Sequence, residues 1–295
     1  MKWPALNRLG LAKKVNKNML IFLRKEWRYF LLALGFFTRI PVPSFNDFKE
    51  SELNKSVKYF PLIGCIVGFI GLAAYYIAGH IFPHTVAVLM SMAATIFATG
   101  AFHEDGLADS ADGLGGGWQR EQVLTIMQDS RLGTYGAVAL FFALMAKFQL
   151  LTAMHAEPVM MILICAHALS RLSAVWMMTA LTYAKAEINS SGKAKPLATE
   201  ISRCDSWLAN LFGLLPLFAL LWMIQTTIQH WQITLGYACF LAAAIGAGWF
   251  WWLALLKRKL GGYTGDTLGA IQQISEIMFY LATLAWLQFL DAYYL

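Results

Sequence analysis

Charge is what this sequence has least of. Only 14% of its 295 residues are Asp, Glu, Lys or Arg, 58% are hydrophobic, and mean hydropathy is +0.54. A soluble domain averages about 25% charged and roughly 45–50% apolar residues. The shortage excludes an ordinary water-soluble enzyme. Cysteine is as sparse. Cys65, Cys165, Cys204 and Cys239 stand singly with no C-x-x-C pair, so neither a zinc site nor a disulfide framework is indicated and all four read as small apolar filler. No G-x-x-x-x-G-K-[ST] string occurs, which argues against an ATP-hydrolysing P-loop. No Ser-His-Asp or Cys-His pairing stands out. No basic patch interleaved with stacking aromatics lies away from the apolar runs, so the net charge of +6 is not a nucleic-acid signal. There is no tandem repeat and no low-complexity tract.

What is present is a series of apolar runs, near residues 59–79, 84–102, 135–154, 158–183, 207–226, 233–256 and 276–291. A spanning helix needs about 20 residues, and these predict an all-α polytopic membrane protein with about seven transmembrane helices. Gly64, Gly68 and Gly71 in the first run predict close helix packing. The connectors at 80–83, 155–157 and 227–232 contain no Lys or Arg, whereas the others hold nearly all of them. By the positive-inside rule the N-terminus and residues 39–58, 103–134, 184–206 and 257–275 are expected in the cytoplasm, and the C-terminus outside. Residues 1–28 carry eight Lys and Arg against Glu26 alone. They are too long and polar for a signal peptide and read as a basic arm lying on the bilayer, with Trp3 and Trp27 at the headgroups. Residues 29–38 are apolar but too short to span, and Pro41 and Pro43 follow. They predict an N-terminal interfacial or re-entrant helix. The domain division is therefore a basic arm, 1–28, and one integral membrane catalytic domain, 29–295.

The chain is organised around the polar stretch 102–136, which holds Glu104, Asp105, Asp109, Asp112, Glu121 and Asp129, six of its seventeen acids. Asp105, Asp109 and Asp112 recur at i, i+4 and i+7, one face of a helix. Three like charges on one stripe repel, and Ala108 and Ala111 beside them bring no counter-charge. A solvated acidic helix end is the plain alternative. At a membrane edge, a divalent cation among them explains the pattern better. Oxygen-only ligands point to Mg²⁺ or Mn²⁺ rather than zinc. His103, just before the acids, can be a ligand, a base or a hydrogen-bonded interface residue.

Around this stretch lie candidate substrate contacts. Gly113 to Gly117, with Gly116 and Gly117 foremost, would let backbone N–H groups approach a phosphate. Asp129 and Arg131 can form a surface ion pair, or Arg131 can clamp a phosphate bidentately. Asp266 sits among Gly261, Gly262, Gly265 and Gly269, after the basic residues 257–259, and reads as a nucleotide or metal contact. Lys147 and Arg171 lie inside apolar runs, where an ionisable group costs about 2.5–3.5 kcal/mol on insertion scales and is functional by default. Arg171 can also snorkel to the interface. Together these features predict Mg²⁺-assisted phosphoryl chemistry on a diphosphate at the cytoplasmic face.

At these residues the sequence resembles the cobalamin synthase family, the adenosylcobinamide-GDP ribazoletransferases. The motifs that carry the likeness run in one order over nearly the whole chain after the arm. They are Thr38-Arg39-x-Pro41-x-Pro43, Tyr59-Phe60-Pro61-Leu62-x-Gly64, Phe102-His103-x-Asp105-Gly106-Leu107-Ala108-Asp109-x-x-Asp112-Gly113, Ile126-Met127-x-Asp129-Ser130-Arg131-x-Gly133-Thr134, then Ala146-Lys147, Ser170-Arg171 and Gly261-Gly262-x-Thr264-Gly265-Asp266-Thr267-Leu268-Gly269-Ala270. The resemblance implies that adenosylcobinamide-GDP is joined to α-ribazole or its 5′-phosphate and that GMP leaves. It implies Asp105, Asp109, Asp112 and His103 as the catalytic set, and Asp129, Arg131, Lys147, Arg171, Asp266, Gly116 and Gly117 as substrate contacts. It also implies residence in the bacterial inner membrane, a homo-oligomer, and association with other late corrinoid-pathway enzymes. The chemistry is similar to that of CDP-alcohol phosphotransferases. Of their helix motif only Asp109-x-x-Asp112-Gly113 is present, without the following A-R or a D-x-x-x-D. Glu104 departs from the family pattern, in which Leu is common, and is not counted as a ligand. A transporter with Lys147 and Arg171 on its pathway, and a scaffold for other enzymes, are the competing classes. Transporters favour midplane sites and internal repeats; here the acids lie at the edge.

Overall fold

A computed structural model describes residues 6–45, 49–184 and 201–293, and every statement below concerns these residues. The connector expected at 184–206 falls mostly outside them. The chain is all-helical, with no strand among the described residues beyond one isolated bridge between Tyr183 and Tyr263.

Helix α1 runs unbroken over Leu6–Phe37. From Leu6 on, the basic arm and the short apolar segment are thus one helix. Helices α2 (Glu50–Ser56) and α3 (Phe60–Gly79) follow, joined by a short 3-10 turn. Arg28 of α1 pairs with Glu52, and Glu26 accepts from Lys58 and from the Tyr59 hydroxyl at 2.6 Å. These bonds anchor the last turns of α1. Lys2, Arg8, Lys13, Lys14 and Lys17 are expected to add roughly 1 kcal/mol each of attraction to an anionic surface, and no chemistry. Deleting residues 1–20 should therefore leave turnover in detergent within about twofold of the full chain. Complete loss of activity in folded protein would overturn that division.

Helix α4 spans His84–Thr99 and α5 Phe102–Gly116, and the two meet at an 84° bend. The bend is made at Gly100 and Ala101, both left-handed at φ 67° and 60°. The conformation is free for glycine and costs an alanine roughly 1–2 kcal/mol. The Arg39 N–H donates to Ala98 O at 2.8 Å, and its side chain lies on Gly100, where a Cβ would meet Nε at 2.3 Å. The Thr38–Pro43 motif is thus a brace across the bend, and the bend turns the acidic helix away from the α4 axis.

Next come α6 (Arg120–Met127), α7 (Thr134–Thr152), α8 (Ala156–Ala180), α9 (Arg203–Ile228), α10 (Trp231–Lys259) and α11 (Gly265–Tyr293). Five helices are long and apolar enough to span, or six if the bent pair counts as one, so the expected count of seven is not reached. The helix left out is α11. It starts eleven residues before the predicted run, at Gly265 rather than 276, and carries buried Gln272, Gln273 and Glu276. Helix α8 is the centre of the bundle: 78% of its apolar window is buried, against 17% for α9. Glycines set the distance between α3 and α8 as expected, because a Cβ on Gly64 would lie 2.3 Å from His167 O. All four cysteines are free.

Candidate active site

Helix α5 carries the acids as the spacing predicts, with Asp105 exposed, Asp109 half-buried and Asp112 buried. The tertiary structure adds a partner. Helix α11 packs on α5 through Gly106 and Gly269, which have no side chains to separate the backbones. A Cβ on Gly106 would stand 2.8 Å from Asp266 O. The first turn of α11 is fixed by reciprocal bonds between Thr264 and Thr267, whose N–H groups donate to each other's hydroxyls at 2.9 and 3.3 Å respectively. The preceding corner is held by Tyr263 N–H on Thr182 O and Ala184 N–H on Tyr263 O. Asp266 is thereby set beside Asp105 and Asp109.

The electrostatics follow from this crowding. Burial, then Asp105, Asp266 and Asp112, push the Asp109 carboxyl up to about 7. Burial and Asp105 push Asp266 up to about 6. No ion pair involves Asp105, Asp109 or Asp266 among the described residues. The cluster is an unmatched set of carboxylates at the end of the bundle where α5, α7 and α11 meet.

Asp112 is differently placed. Its carboxylate accepts from Gly133 N–H at 2.8 Å and Gly136 N–H at 2.9 Å, capping the N-terminus of α7. Among the described residues no three His, Cys, Asp or Glu side chains converge as a metal-ligand group. Among the described residues no ready ligand set of three therefore exists, with Asp266 in place of Asp112 or without it, and Asp112 is engaged elsewhere. The physical reason is competition: a helix N-terminus offers Asp112 two N–H donors and a positive dipole end. Asp105, Asp109 and Asp266 pair with no Arg or Lys among the described residues, although Asp266 is bonded by the Thr264 side chain and by backbone N–H. Their all-oxygen chemistry fits a hard cation, since Mg²⁺ is commonly held by one or two carboxylates with phosphate oxygens and water filling the rest.

The other expected contacts divide into three groups. Asp129 and Arg131 pair with each other on the surface, three bonds running from the Arg131 guanidinium to the Asp129 carboxylate. This holds Asp129 below the usual carboxylate range. Arg131 is 87% exposed, so the pair is open to a ligand. Gly116 and Gly117 do not form the expected N–H cradle. They end α5, a helix end presents carbonyls, and Gly117 N–H is spent on Gly113 O at 2.9 Å. Lys147 and Arg171 do not reach the aspartates. Both are buried and gathered round Glu276, with Lys147 Nζ at 3.0 Å from its carboxylate. Arg171 donates to His167 O at 3.0 Å. His103 is buried too, its ring stacked on Phe37 at 6.1 Å, so it packs the root of α5 rather than facing the acids. Sequence reasoning assigned no site role to Glu276, His167, Gln272 or Gln273. The signal was available in Lys147 and Arg171, because two buried cations in an apolar chain require a buried acid.

A model of the cobalamin-5-phosphate synthase family matches residues 29–284. Adenosylcobinamide-GDP ribazoletransferase of Ralstonia nicotianae is 44% identical over 274 residues, covering 91% of this chain and 99% of that protein. Its namesake in Ralstonia pickettii is 42% identical, covering 90% and 98%, and that of Shewanella amazonensis 43%, covering 88% and 96%. No solved structure matches. With its motifs in order on one bundle and the family model matched from residue 29 to 284, this chain belongs to the cobalamin-5-phosphate synthase family.

Proposed function

We propose that this membrane transferase of cobalamin synthesis joins adenosylcobinamide-GDP to α-ribazole or α-ribazole 5′-phosphate and releases GMP, at the cytoplasmic face of the inner membrane. The ribazole hydroxyl gives up its proton to solvent and its oxygen forms a bond to the phosphorus next to cobinamide. The anhydride bond to the GMP phosphate breaks, and GMP takes that electron pair. The observation that carries this reading is the unmatched cluster of Asp105, Asp109 and Asp266 on two helices in contact through glycine.

A substrate diphosphate is an anion and is repelled by three carboxylates. Mg²⁺, when bound, supplies the charge that lets them share one site and that stabilises the leaving phosphate. Asp105, Asp109 and Asp266 would hold it. Asp112 orients the α7 terminus, and with it the loop bearing Asp129 and Arg131. A guanidinium in that loop can turn from Asp129 to a phosphate in the same fork geometry. The space around Lys147 and Arg171 is only about 20 Å³, too small for a substrate or a solvated ion, which disfavours the transporter reading.

Purified protein in detergent, given adenosylcobinamide-GDP, α-ribazole and Mg²⁺, should release GMP in equal amount to the new corrinoid, and chelation with EDTA should stop both. Full turnover after EDTA treatment would remove the metal from the mechanism. Absence of GMP with folded protein would remove the reaction.

A further inference from the structure

Beneath the acidic cluster, α11 carries a run of side-chain amides whose orientation is fixed by their neighbours. Gln272 Nε2 donates to Ser170 Oγ at 3.0 Å and to Glu276 Oε2 at 2.8 Å. Its Oε1 is therefore the acceptor, and it takes a bond from Gln273 Nε2 at 2.9 Å. Gln273 Nε2 gives its second hydrogen to Glu104 Oε1 at 3.0 Å. Both hydrogens of that amide are used, so neither amide can be turned over without setting acceptor against acceptor.

Seven buried side-chain polar atoms lack a partner among the described residues, and three of them, Glu104 Oε2, Gln273 Oε1 and Arg171 Nε, belong to residues around one space. All three residues line the same partly open cavity of about 20 Å³, between α3, α4, α5, α7, α8 and α11. A buried polar group without a partner costs about 1–3 kcal/mol. Three around one space call for a common ligand. A volume above about 10–15 Å³ admits one water. The valences select water as well. Two of the atoms accept and one donates. A metal cation cannot accept from the Arg171 N–H, and an anion cannot donate to Glu104 and Gln273. The charged side chains around the space are Lys147, Arg171, Glu104 and Glu276, two of each sign, so no net charge calls for an ion.

We infer that this cavity is a binding site for one ordered water, which accepts from Arg171 Nε–H and donates to Glu104 Oε2 and Gln273 Oε1. The water joins α5, α8 and α11 at one point. It gives Glu104 a role that does not require it to be a metal ligand: it ties the first turn of α5, next to Asp105, to the buried charges of α8. The inference does not depend on which reaction the aspartates perform.

A structure of the wild-type protein at a resolution that shows ordered solvent tests it directly. One density peak should lie at hydrogen-bonding distance, about 2.7–3.2 Å, from all three atoms. No peak, or a direct bond from Arg171 Nε to Glu104 in its place, overturns the inference. Thermal melting in detergent gives a second arm that needs no activity. Glu104→Gln loses the charge near Arg171 but keeps polar atoms toward both Gln273 and the water, and should melt below wild type yet above the apolar variant. Glu104→Met is similar in size but keeps neither, and should melt several degrees lower. Equal melting of the two variants would also overturn it.

Discussion

Asp109→Asn and Asp105→Asn should each lower turnover at least about a hundredfold, the effect of losing roughly 2.7 kcal/mol of transition-state stabilisation. Asparagine keeps size and helix packing but removes the charge that faces the diphosphate's counter-ion. The loss falls on kcat because charge gathers on the leaving oxygen in the transition state, where a held cation is worth most. Asp266→Asn should behave alike, because Asp266 stands in the same unmatched cluster. Asp112→Asn should be milder. Asparagine caps helices as well as aspartate does, and one amide oxygen still accepts from the α7 terminus. Steady-state kinetics on the four variants, with folding checked by melting, separate the two roles. An Asp112→Asn variant as damaged as Asp109→Asn would return Asp112 to the metal set. Raised Mg²⁺ should partly restore Asp105→Asn.

The same cluster sets a pH dependence. Asp109 and Asp266 bind protons more tightly folded than in the unfolded chain, with pKa values of about 7 and about 6. A raised carboxyl pKa means that stability present below the ordinary value near 4 is lost as pH rises through the folded value. Protein freed of divalent cations should therefore melt higher at pH 5 than at pH 8. Adding Mg²⁺ at pH 8 should recover the difference, since the cation replaces the protons.

Glu276→Leu should destabilise the protein by about 3–5 kcal/mol, the cost of leaving a buried charge without its partner. A folded domain is stable by only about 5–15 kcal/mol, so a sharp fall in melting temperature and in folded yield is expected. Glu276 faces Lys147 Nζ at 3.0 Å and His167 Nδ1 at 3.6 Å, and accepts from Gln272 and from the Tyr280 hydroxyl at 3.3 Å. Removing it leaves Lys147 and Arg171 in an apolar bundle. Lys147→Met should be harmful for the mirror reason. The double variant Lys147→Met/Glu276→Leu should recover much of the loss, because an apolar pair replaces an ion pair at little net cost. A thermodynamic cycle over the three variants reads the coupling directly. Single variants within about 0.5 kcal/mol of wild type would mean that water reaches the cluster.

The sequence by itself determined the membrane class, the helix under the acids and the close glycine contact of α3 with α8. Each rests on composition or on i, i+4 spacing, which are properties of one segment. The family likeness was equally legible, because the order of its motifs is written along the chain. Which acids belong together was decided only in three dimensions. Asp112 accepts from the α7 terminus, and Asp266, more than 150 positions away, lies beside Asp109 because Gly106 and Gly269 let two backbones meet. Lys147 and Arg171 looked like substrate contacts because each was unpaired in its own run. The acid that pairs with Lys147, Glu276, lies on α11, a helix whose polar face lowers its hydropathy just where the buried network needs it. The turn at Gly100–Ala101, which aims the acidic helix, depends on Arg39 from a distant segment. Local patterns fix which element a residue occupies. Pairing of charges depends on which elements pack, and packing is settled by long-range contacts that no single run of sequence contains.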